Sequence, residues 1–196
     1  MNSFVIADPD RCIGCHTCEI ACVTAHSAQD MLLQPAAHSD FYPRLRVTET
    51  NEVTVPVLCR HCEDAPCANV CPNGSIINQG NHIFINEDTC IGCKTCMLVC
   101  PYGAIAMVPA YRDGQRQLQA GLRTDDSGTW KHKERLVAHK CDLCEGSVDG
   151  PECVRVCPTH ALHLVEAIQV EDSIAAKRLA SAQALQQFGG LGYFLG

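Results

Sequence analysis

The chain has 196 residues, sixteen of them cysteines, and a formal net charge of −7 at neutral pH. This acidic balance argues against a nucleic-acid partner, because such proteins need clustered positive charge. No apolar run approaches the roughly 18 residues of a transmembrane helix, so no direct membrane span is predicted. The N-terminal residues lack the basic and apolar regions of a signal peptide, which predicts a cytoplasmic protein, where disulfides are rare.

The cysteines form four groups of four, and none lies outside them. In chain order the groups are Cys12, Cys15, Cys18 and Cys22; Cys59, Cys62, Cys67 and Cys71; Cys90, Cys93, Cys96 and Cys100; and Cys141, Cys144, Cys153 and Cys157. The first and third groups read C-x2-C-x2-C-x3-C, the spacing that binds cubane iron–sulfur clusters in bacterial ferredoxins. Four thiolates per cluster predict four 4Fe–4S clusters as cofactors, with all sixteen cysteines as cofactor-binding and iron-binding residues. The protein is therefore predicted to carry electrons.

Structural zinc is the alternative of another class, because paired C-x-x-C elements also build zinc sites in interaction proteins. Zinc sites seldom combine three closely spaced cysteines with a fourth just beyond, whereas a cubane cluster needs three ligands from one tight loop. Gly14 and Gly92 lie inside two of these loops, where a missing side chain lets the backbone approach a cluster. The pattern favours iron–sulfur clusters over zinc.

The segments between the cysteine groups predict few regular elements. Residues 23–55 begin as a polar, proline-containing loop, and residues 44–57 then alternate as strands do. Residues 72–89 predict a strand pair, 75–77 and 82–85, around a turn at 79–81.

The insert of residues 109–137 is predicted to be a loop that carries Trp130 beside a short basic run. That tryptophan either anchors an interface or packs under its own domain. A helix is predicted over residues 173–188, with Asp172 or Ser173 as its cap and two glycines as its end. This helix either packs on its own domain or docks to a partner.

The last cysteine of a ferredoxin group ligates the other cluster of a two-cluster unit, so the groups must be paired. Because the second and third groups are close in sequence, we pair them, and the first and fourth by elimination. The predicted ligand sets are Cys12, Cys15, Cys18 and Cys157; Cys141, Cys144, Cys153 and Cys22; Cys59, Cys62, Cys67 and Cys100; and Cys90, Cys93, Cys96 and Cys71.

The predicted fold class is α+β, with two pseudo-symmetric, bacterial-ferredoxin-like units of two clusters each, the second nested inside the first. Residues 1–55 and 138–170 form the outer unit, and residues 56–108 form the inner unit. The insert of residues 109–137 and the C-terminal helix and tail of residues 171–196 complete the chain. Units this small bury little apolar surface, so we expect the clusters to stabilise the fold as well as serve function.

Four basic residues lie beside predicted ligands, namely Arg60, His61, Lys94 and Lys140. A cation there would favour the reduced cluster by offsetting its charge. The other interpretation is that these are exposed polar loop residues. The sequence contains no nucleotide-binding or metalloprotease motif, so we predict no catalytic residue and no enzymatic activity.

Four segments resemble a known family, namely residues 1–22, 59–76, 90–105 and 141–162. They are similar to the four-cluster electron-transfer subunits that partner molybdopterin oxidoreductases. The likeness is strongest to the cytoplasmic iron–sulfur proteins associated with formate dehydrogenase H and formate hydrogenlyase. The family pattern agrees with the nested pairing of the cysteine groups.

The resemblance also implies partners. It implies electron transfer between the catalytic subunit of a molybdopterin formate dehydrogenase and a hydrogenase, or another iron–sulfur or flavin subunit. The alternative within the family is service to another molybdopterin reductase, acting on a sulfoxide, nitrite or tetrathionate.

Overall fold

The computed structural model describes residues 1–27 and 40–187, which contain twelve short strands and five helices. In chain order these are β1 (Phe4–Ala7), α1 (Thr17–His26), β2 (Leu45–Glu49), β3 (Thr54–Leu58), α2 (Pro66–Asn69), β4 (Ile76–Gln79), β5 (His82–Ile85), α3 (Thr95–Val99), β6 (Ala106–Pro109), β7 (Tyr111–Arg112), β8 (Gln115–Arg116), β9 (Leu118–Asp126), β10 (Thr129–Glu134), β11 (Leu136–His139), α4 (Glu152–Arg155), β12 (Leu162–Val165) and α5 (Ala167–Gln187). The mixture of helices and strands agrees with the predicted α+β class.

The strands of the described residues pair only in twos, as six antiparallel sheets. The pairs are β1–β12, β2–β3, β4–β5, β6–β11, β7–β8 and β9–β10. The pair β1–β12 joins the beginning of the chain to the segment after the fourth cysteine group, with Val5 opposite Leu164. The packing of α1 against α4 likewise joins the first cysteine group to the fourth. The packing of α2 against α3 joins the second group to the third.

The strands predicted from sequence in the first half of the chain are present. The pair β4–β5 runs over Ile76–Gln79 and His82–Ile85, one residue later at its start than predicted. The alternating stretch of residues 44–57 forms the hairpin β2–β3. Both hairpins place cysteine loops at their ends, because Cys59 follows β3 directly and Cys90 follows soon after β5.

The hydrophobic core consists of small clusters in which cysteines are major members. One cluster combines Val5, Leu45, Leu58 and Leu162 with five buried cysteines, namely Cys18, Cys22, Cys59, Cys141 and Cys153. A second cluster surrounds Ile83 and includes the buried Cys67 and Cys96. The ligands of any bound metal would therefore be part of the core itself, which couples metal binding to folding.

The prediction of a loop over residues 109–137 is wrong, because the segment forms strands. Its main feature is the ribbon, defined here as β9 and β10, which turns at Ser127 and Gly128 with φ of 56° and 84°. Two consecutive residues with positive φ are typical of a tight hairpin turn whose twist matches that of the strands. The Gly128 amide donates a hydrogen bond to Asp125 Oδ1 at 2.8 Å and supports this turn.

The C-terminal helix begins earlier than predicted. Helix α5 starts at Ala167, so Asp172 and Ser173 lie inside it rather than at its cap, and the predicted glycine end lies outside the described residues. Every described side chain of residues 171–186 is exposed, so packing of this helix on its own domain is wrong. None of the described helices has the length and apolar character needed to cross a membrane.

Candidate iron–sulfur sites

The four cysteine loops share one backbone feature. The residue before the second cysteine of each group has a positive φ, with values of 68° at Gly14, 45° at His61, 67° at Gly92 and 61° at Leu143. The amides of His61 and Leu143 lie 3.4 Å and 3.5 Å from the sulfurs of Cys59 and Cys141, to which they donate. The left-handed turn thus aims backbone N–H groups at the thiol two residues earlier.

Sequence reasoning recognised this turn only where glycine occupies it. His61 and Leu143 adopt the same conformation with a side chain present, and they carry no glycine signal. A non-glycine residue in this region costs about 1–2 kcal/mol, so the surrounding structure must hold it. Their place in the C-x-x-C spacing was the only available clue.

Backbone N–H groups also reach the last cysteine of two groups in the same way. The amides of Ala104 and Ala161 donate to the sulfurs of Cys100 and Cys157 at 3.4 Å and 3.2 Å, each from four residues further along. Two longer-range donors complete the pattern, Arg44 N to Cys22 Sγ at 3.3 Å and Ala138 N to Cys90 Sγ at 3.4 Å. Such donors stabilise negative charge on sulfur, as expected of thiolate ligands.

Cys100 of the third group lies beside cysteines of the second group. Burial raises the pKa of Cys59, and the neighbouring thiols of Cys100 and Cys62 raise it further. Burial likewise raises the pKa of Cys67 to about 11, with Cys59 and Cys100 acting in the same direction. The thiols of these two groups that are named here therefore lie close enough to affect one another's pKa.

Cys22 of the first group lies beside cysteines of the fourth. Burial raises the pKa of Cys153 well above its usual range, and the thiols of Cys141, Cys22, Cys144 and Cys18 add to the effect. Cys144 in turn is buried enough to have a raised pKa, to which Cys22 contributes.

One cavity brings together the first three cysteines of the third group and one from the second. It is lined by Cys71, Cys90, Cys93 and Cys96, together with Gly92 and Ala138. Burial raises the pKa of Cys96, and the thiols of Cys90 and Cys93 raise it further.

The first group is tied to the fourth through the core around α1 and α4. Burial raises the pKa of Cys18 to about 11, and the nearby Cys15 thiol raises it too. Cys157 packs against the same buried cluster that contains Cys18 and Cys22. Cys12 is half-buried, and Cys15 is exposed.

These residues fit the binding of 4Fe–4S clusters. Buried thiols with raised pKa values would ionise only beside a strongly positive centre, and iron ions provide one. His61 adds a second observation, because its Nδ1 accepts a hydrogen bond from the Ile83 amide at 3.0 Å, which assigns the ring proton to Nε2. Within the described residues this buried Nε2–H has no partner, so it remains available as a donor to a cluster sulfur.

A partly buried ionic group supports the fourth cysteine loop. Asp142 accepts hydrogen bonds from Arg44 Nη1 at 2.6 Å and from His26 Nε2 at 2.9 Å. Although burial opposes ionisation, these partners hold the pKa of Asp142 well below its usual range. His26 also bonds the Cys22 carbonyl oxygen at 2.7 Å. The group joins α1, the segment before β2 and the Cys141–Cys144 loop.

The basic residues beside the cysteines behave differently from one another. Lys94 is exposed and Arg60 is half-buried, whereas His61 and Lys140 are buried with 1 % and 3 % of their surface exposed. The interpretation as exposed polar loop residues is therefore wrong for His61 and Lys140. Trp130 is 67 % exposed, so its packing under its own domain is wrong as well.

Thiol-lined sites on tight left-handed loops, set between short antiparallel hairpins, define a ferredoxin-like iron–sulfur protein. Two family models agree with this class, both described as a 4Fe–4S binding domain, which match residues 9–24 and 83–106.

Curated relatives extend the likeness over nearly the whole chain. The electron transport protein HydN of Escherichia coli strain K12 is 41 % identical over 93 % of this chain and 98 % of its own length. Formate hydrogenlyase subunit 2 of the same strain is 39 % identical over 99 % of this chain and 96 % of its own. Hydrogenase-4 component A is 37 % identical over 93 % and 91 %. The chain belongs to this family of 4Fe–4S ferredoxin-like electron-transfer proteins, which confirms the predicted role in electron transfer.

Proposed function

We propose that the chain holds four 4Fe–4S clusters and transfers electrons between a molybdopterin formate dehydrogenase and a hydrogenase, or another iron–sulfur or flavin subunit, without catalysing a reaction itself. Each cluster, when bound, takes up or releases one electron. The observation that carries this proposal is that Cys100 of the third group lies beside Cys59 of the second and Cys22 of the first beside Cys153 of the fourth, which supports exchange of ligands between groups.

The sixteen cysteines are proposed to act as ligands in the four predicted sets. Cys59, Cys62, Cys67 and Cys100 would hold one cluster, and Cys141, Cys144, Cys153 and Cys22 a second. The cavity of Cys71, Cys90, Cys93 and Cys96 would hold a third. Cys12, Cys15, Cys18 and Cys157 would hold the fourth.

The nested arrangement of two units is part of the same proposal. It is supported by β1–β12 and α1–α4, which link the two ends of the chain, and by β4–β5 and α2–α3, which are local. The outer unit is residues 1–55 and 138–170, and the inner unit is residues 56–108. The ribbon lies in the insert of residues 109–137.

The burial of the cysteines suggests where partners approach. Cys59 and Cys141 are buried and share one core cluster, although they belong to the two different proposed units. Cys15 and Cys93 are exposed. Because an electron must cross a short gap to a partner, we propose that partners dock on the faces that carry Cys15 and Cys93.

The ribbon is the proposed docking element on the Cys93 side. Its base is fixed to the third cysteine loop, since the Arg135 guanidinium donates to the carbonyl oxygens of Asp88 at 2.8 Å and Cys90 at 3.1 Å. An isolated two-stranded ribbon gains little stability from its own pairing. Here it presents Trp130, a residue type enriched at interface hot spots, to solvent.

The choice of partners rests on the names of the relatives, since one is named as a subunit of formate hydrogenlyase and another as a component of hydrogenase-4. Another molybdopterin reductase remains the alternative within the family. The cytoplasmic location remains a prediction from sequence.

Metal analysis tests the cofactor content. Chain purified without oxygen should contain about sixteen iron and sixteen sulfide, four of each per cluster. A value near eight iron with tightly bound zinc would refute four clusters, and a colourless zinc protein would establish the alternative of another class.

Reduction by formate tests the partner. The purified chain is mixed without oxygen with a trace of molybdopterin formate dehydrogenase and formate, and bleaching of the visible cluster absorbance is followed. Rapid bleaching that requires both additions supports the proposal. Trp130→Ala should slow it, and Trp130→Phe, which keeps an aromatic ring, should slow it less. If another molybdopterin enzyme reduces the chain readily and formate dehydrogenase does not, the formate assignment is wrong.

A further inference from the structure

Lys140 is a buried cation in the middle of the proposed sites. It follows β11, directly precedes Cys141, and has 3 % of its surface exposed, whereas the other described lysines are exposed. Its Nζ donates to the carbonyl oxygen of Cys141 at 2.9 Å and to that of Ile83. Both acceptors are neutral groups. A buried ammonium is unfavourable unless negative charge lies nearby, so the position of Lys140 requires an anionic neighbour.

The cluster-bound thiolates of two different ligand sets would supply that neighbour. Lys140 directly precedes Cys141 and donates to its carbonyl oxygen at 2.9 Å, which places the ammonium beside one set. Its other acceptor, Ile83, packs in the same buried cluster as Cys67 and donates to His61, whose own amide donates to Cys59 Sγ at 3.4 Å. Cys59 and Cys141 also share one buried cluster. Lys140 therefore lies at the junction of these two sets.

The other buried or partly buried basic groups nearby supply no unpaired positive charge. Burial, Lys140 and His82 together lower the pKa of His61 to about 3, so its imidazole is neutral. Burial and the charges of Arg44 and His26 likewise lower the pKa of His139 to about 3. Arg44 and His26 are paired with Asp142.

Ile83 fixes Lys140 and His61 relative to each other. Its amide donates to His61 Nδ1 at 3.0 Å, and its carbonyl oxygen accepts from Lys140. The ammonium is thus held by backbone groups on β5 and on the Cys141 loop. Because it is held on both sides, it cannot move into solvent without breaking two hydrogen bonds.

We propose that Lys140 is an electrostatic tuning residue, which raises the reduction potential of the two clusters held by the Cys59 and Cys141 sets. This inference rests on the proposed four-cluster function. One-electron reduction adds one negative charge to a thiolate-bound cluster, and no bond forms or breaks and no proton moves. A fixed positive charge nearby stabilises that added charge, most strongly where water is excluded.

Lys94 provides a matched control within the same chain. It also neighbours a ligand cysteine, Cys93, but its side chain is exposed. Water and salt screen an exposed charge. Removal of the Lys94 charge should therefore leave the reduction potentials nearly unchanged.

The test compares Lys140→Met, Lys140→Gln and Lys94→Met with wild type in the full chain, loaded without oxygen. Each is titrated with reductant at set potentials while electron paramagnetic resonance follows the reduced clusters. In both Lys140 variants the clusters of the Cys59 and Cys141 sets should be harder to reduce. Their equilibrium constant for reduction should fall about tenfold, which corresponds to a potential about 59 mV lower for one electron. The other two sets and Lys94→Met should stay near wild type.

Lys140→Gln separates charge from hydrogen bonding, because its amide can still donate to the carbonyl oxygens of Ile83 and Cys141. Wild-type potentials in a fully loaded Lys140→Gln variant would overturn the proposal. Selective loss of these two clusters from both variants would overturn it too, by assigning Lys140 a structural role. The iron content of wild type tests the proposed function separately, since a low content would refute four clusters whatever Lys140 does.

Discussion

The α-carbon of Gly92 faces the backbone carbonyl oxygen of Leu136 so closely that a Cβ at position 92 would overlap with that oxygen. The contact holds the third cysteine loop against β11. Gly14, at the same place in the first loop, has nearly the same φ, 68° against 67°, but faces only side-chain atoms of Thr54 and Glu49. Substitution of the two glycines therefore distinguishes two costs. Both positions share the cost of backbone strain, and only position 92 adds the cost of steric overlap with backbone.

We expect Gly92→Ala to destabilise the loaded protein more than Gly14→Ala does. Each substitution incurs about 1–2 kcal/mol for a side chain in the left-handed region. At position 92 the backbone of β11 must also move, whereas at position 14 flexible side chains can shift. The measurement is the rate at which cluster absorbance is lost on heating. Equal rates for the two variants would contradict the structural difference.

Exchange of ligands between groups predicts which cluster a cysteine variant damages. Cys22→Ser should alter the electron paramagnetic resonance signal of the Cys141 set, because Cys22 lies beside Cys153 and Cys144. Cys18→Ser is the control from the same helix and should alter the Cys12 set. By the same reasoning, Cys71→Ser should damage the Cys90 set. A Cys22→Ser spectrum altered only in the Cys12 set would disprove the pairing.

Much of the site could be read from spacing, because cluster ligands must come from tight loops. The cysteine positions and the roles of Gly14 and Gly92 follow from that requirement. His61 and Leu143 show its limit, since their left-handed conformation depends on tertiary support that no local pattern encodes. The burial of Lys140 could not be predicted either, because it depends on β5 lying beside the fourth cysteine loop.

The ribbon and helix α5 differ from the sequence prediction for another reason. The Ser127–Gly128 pair between alternating residues is a hairpin signal that sequence reasoning could have used. Helix α5 begins directly after β12, where the Glu166 carbonyl oxygen accepts from the Gln169 backbone amide at 3.1 Å and the Gln169 side-chain oxygen accepts from the Glu166 amide at 3.3 Å, rather than at the expected cap Asp172. The prediction of a loop for the insert relied on its composition, and the prediction of the helix relied on the wrong cap residue.

Asp142→Asn should destabilise the fourth cysteine loop. It removes the negative charge between Arg44 and His26 and leaves partly buried positive charge without a partner. Breaking a fully buried ion pair costs about 3–5 kcal/mol, so the cost of breaking this partly buried one should lie between that figure and the small cost of a surface pair. We expect faster loss of cluster absorbance in denaturant. Arg112→Met, which removes an exposed ion pair with Asp88, is the control and should change the rate little. If Asp142→Asn and Arg112→Met changed the rate of cluster loss equally, the stabilising role of Asp142 would be contradicted.

The contribution of His26 should depend on pH. Although burial lowers the pKa of His26, its hydrogen bond with Asp142 raises the pKa above the usual value of about 6.5. A raised pKa in the folded state gives stability that is fully present below about pH 6.5 and is lost as the pH rises through the folded value. The advantage of wild type over His26→Gln, measured as cluster lifetime, should therefore shrink as the pH is raised from 6 towards 10. An advantage that grows with pH would contradict this.

Removal of residues 167–196 should leave the iron content and thermal stability of the rest nearly unchanged. The described side chains of residues 171–186 are exposed, including Leu179 and Leu185 at 61 % and 72 %. The measurements are iron content and the temperature at which the visible absorbance is lost. Loss of clusters on truncation would show that this segment supports the fold.

The pairing of β1 with β12 has a consequence for biosynthesis. A growing chain makes residues 162–165 long after residues 4–7, because more than 150 residues separate them. At about 5–20 residues per second the ribosome needs on the order of ten seconds or more to cover that interval. During this time the first cysteine loop has neither its strand partner nor α4. The stretch from Cys59 to Cys100 can close earlier, so we expect iron–sulfur delivery to the second and third cysteine groups to be possible before residue 165 is made, and delivery to the first and fourth groups only afterwards.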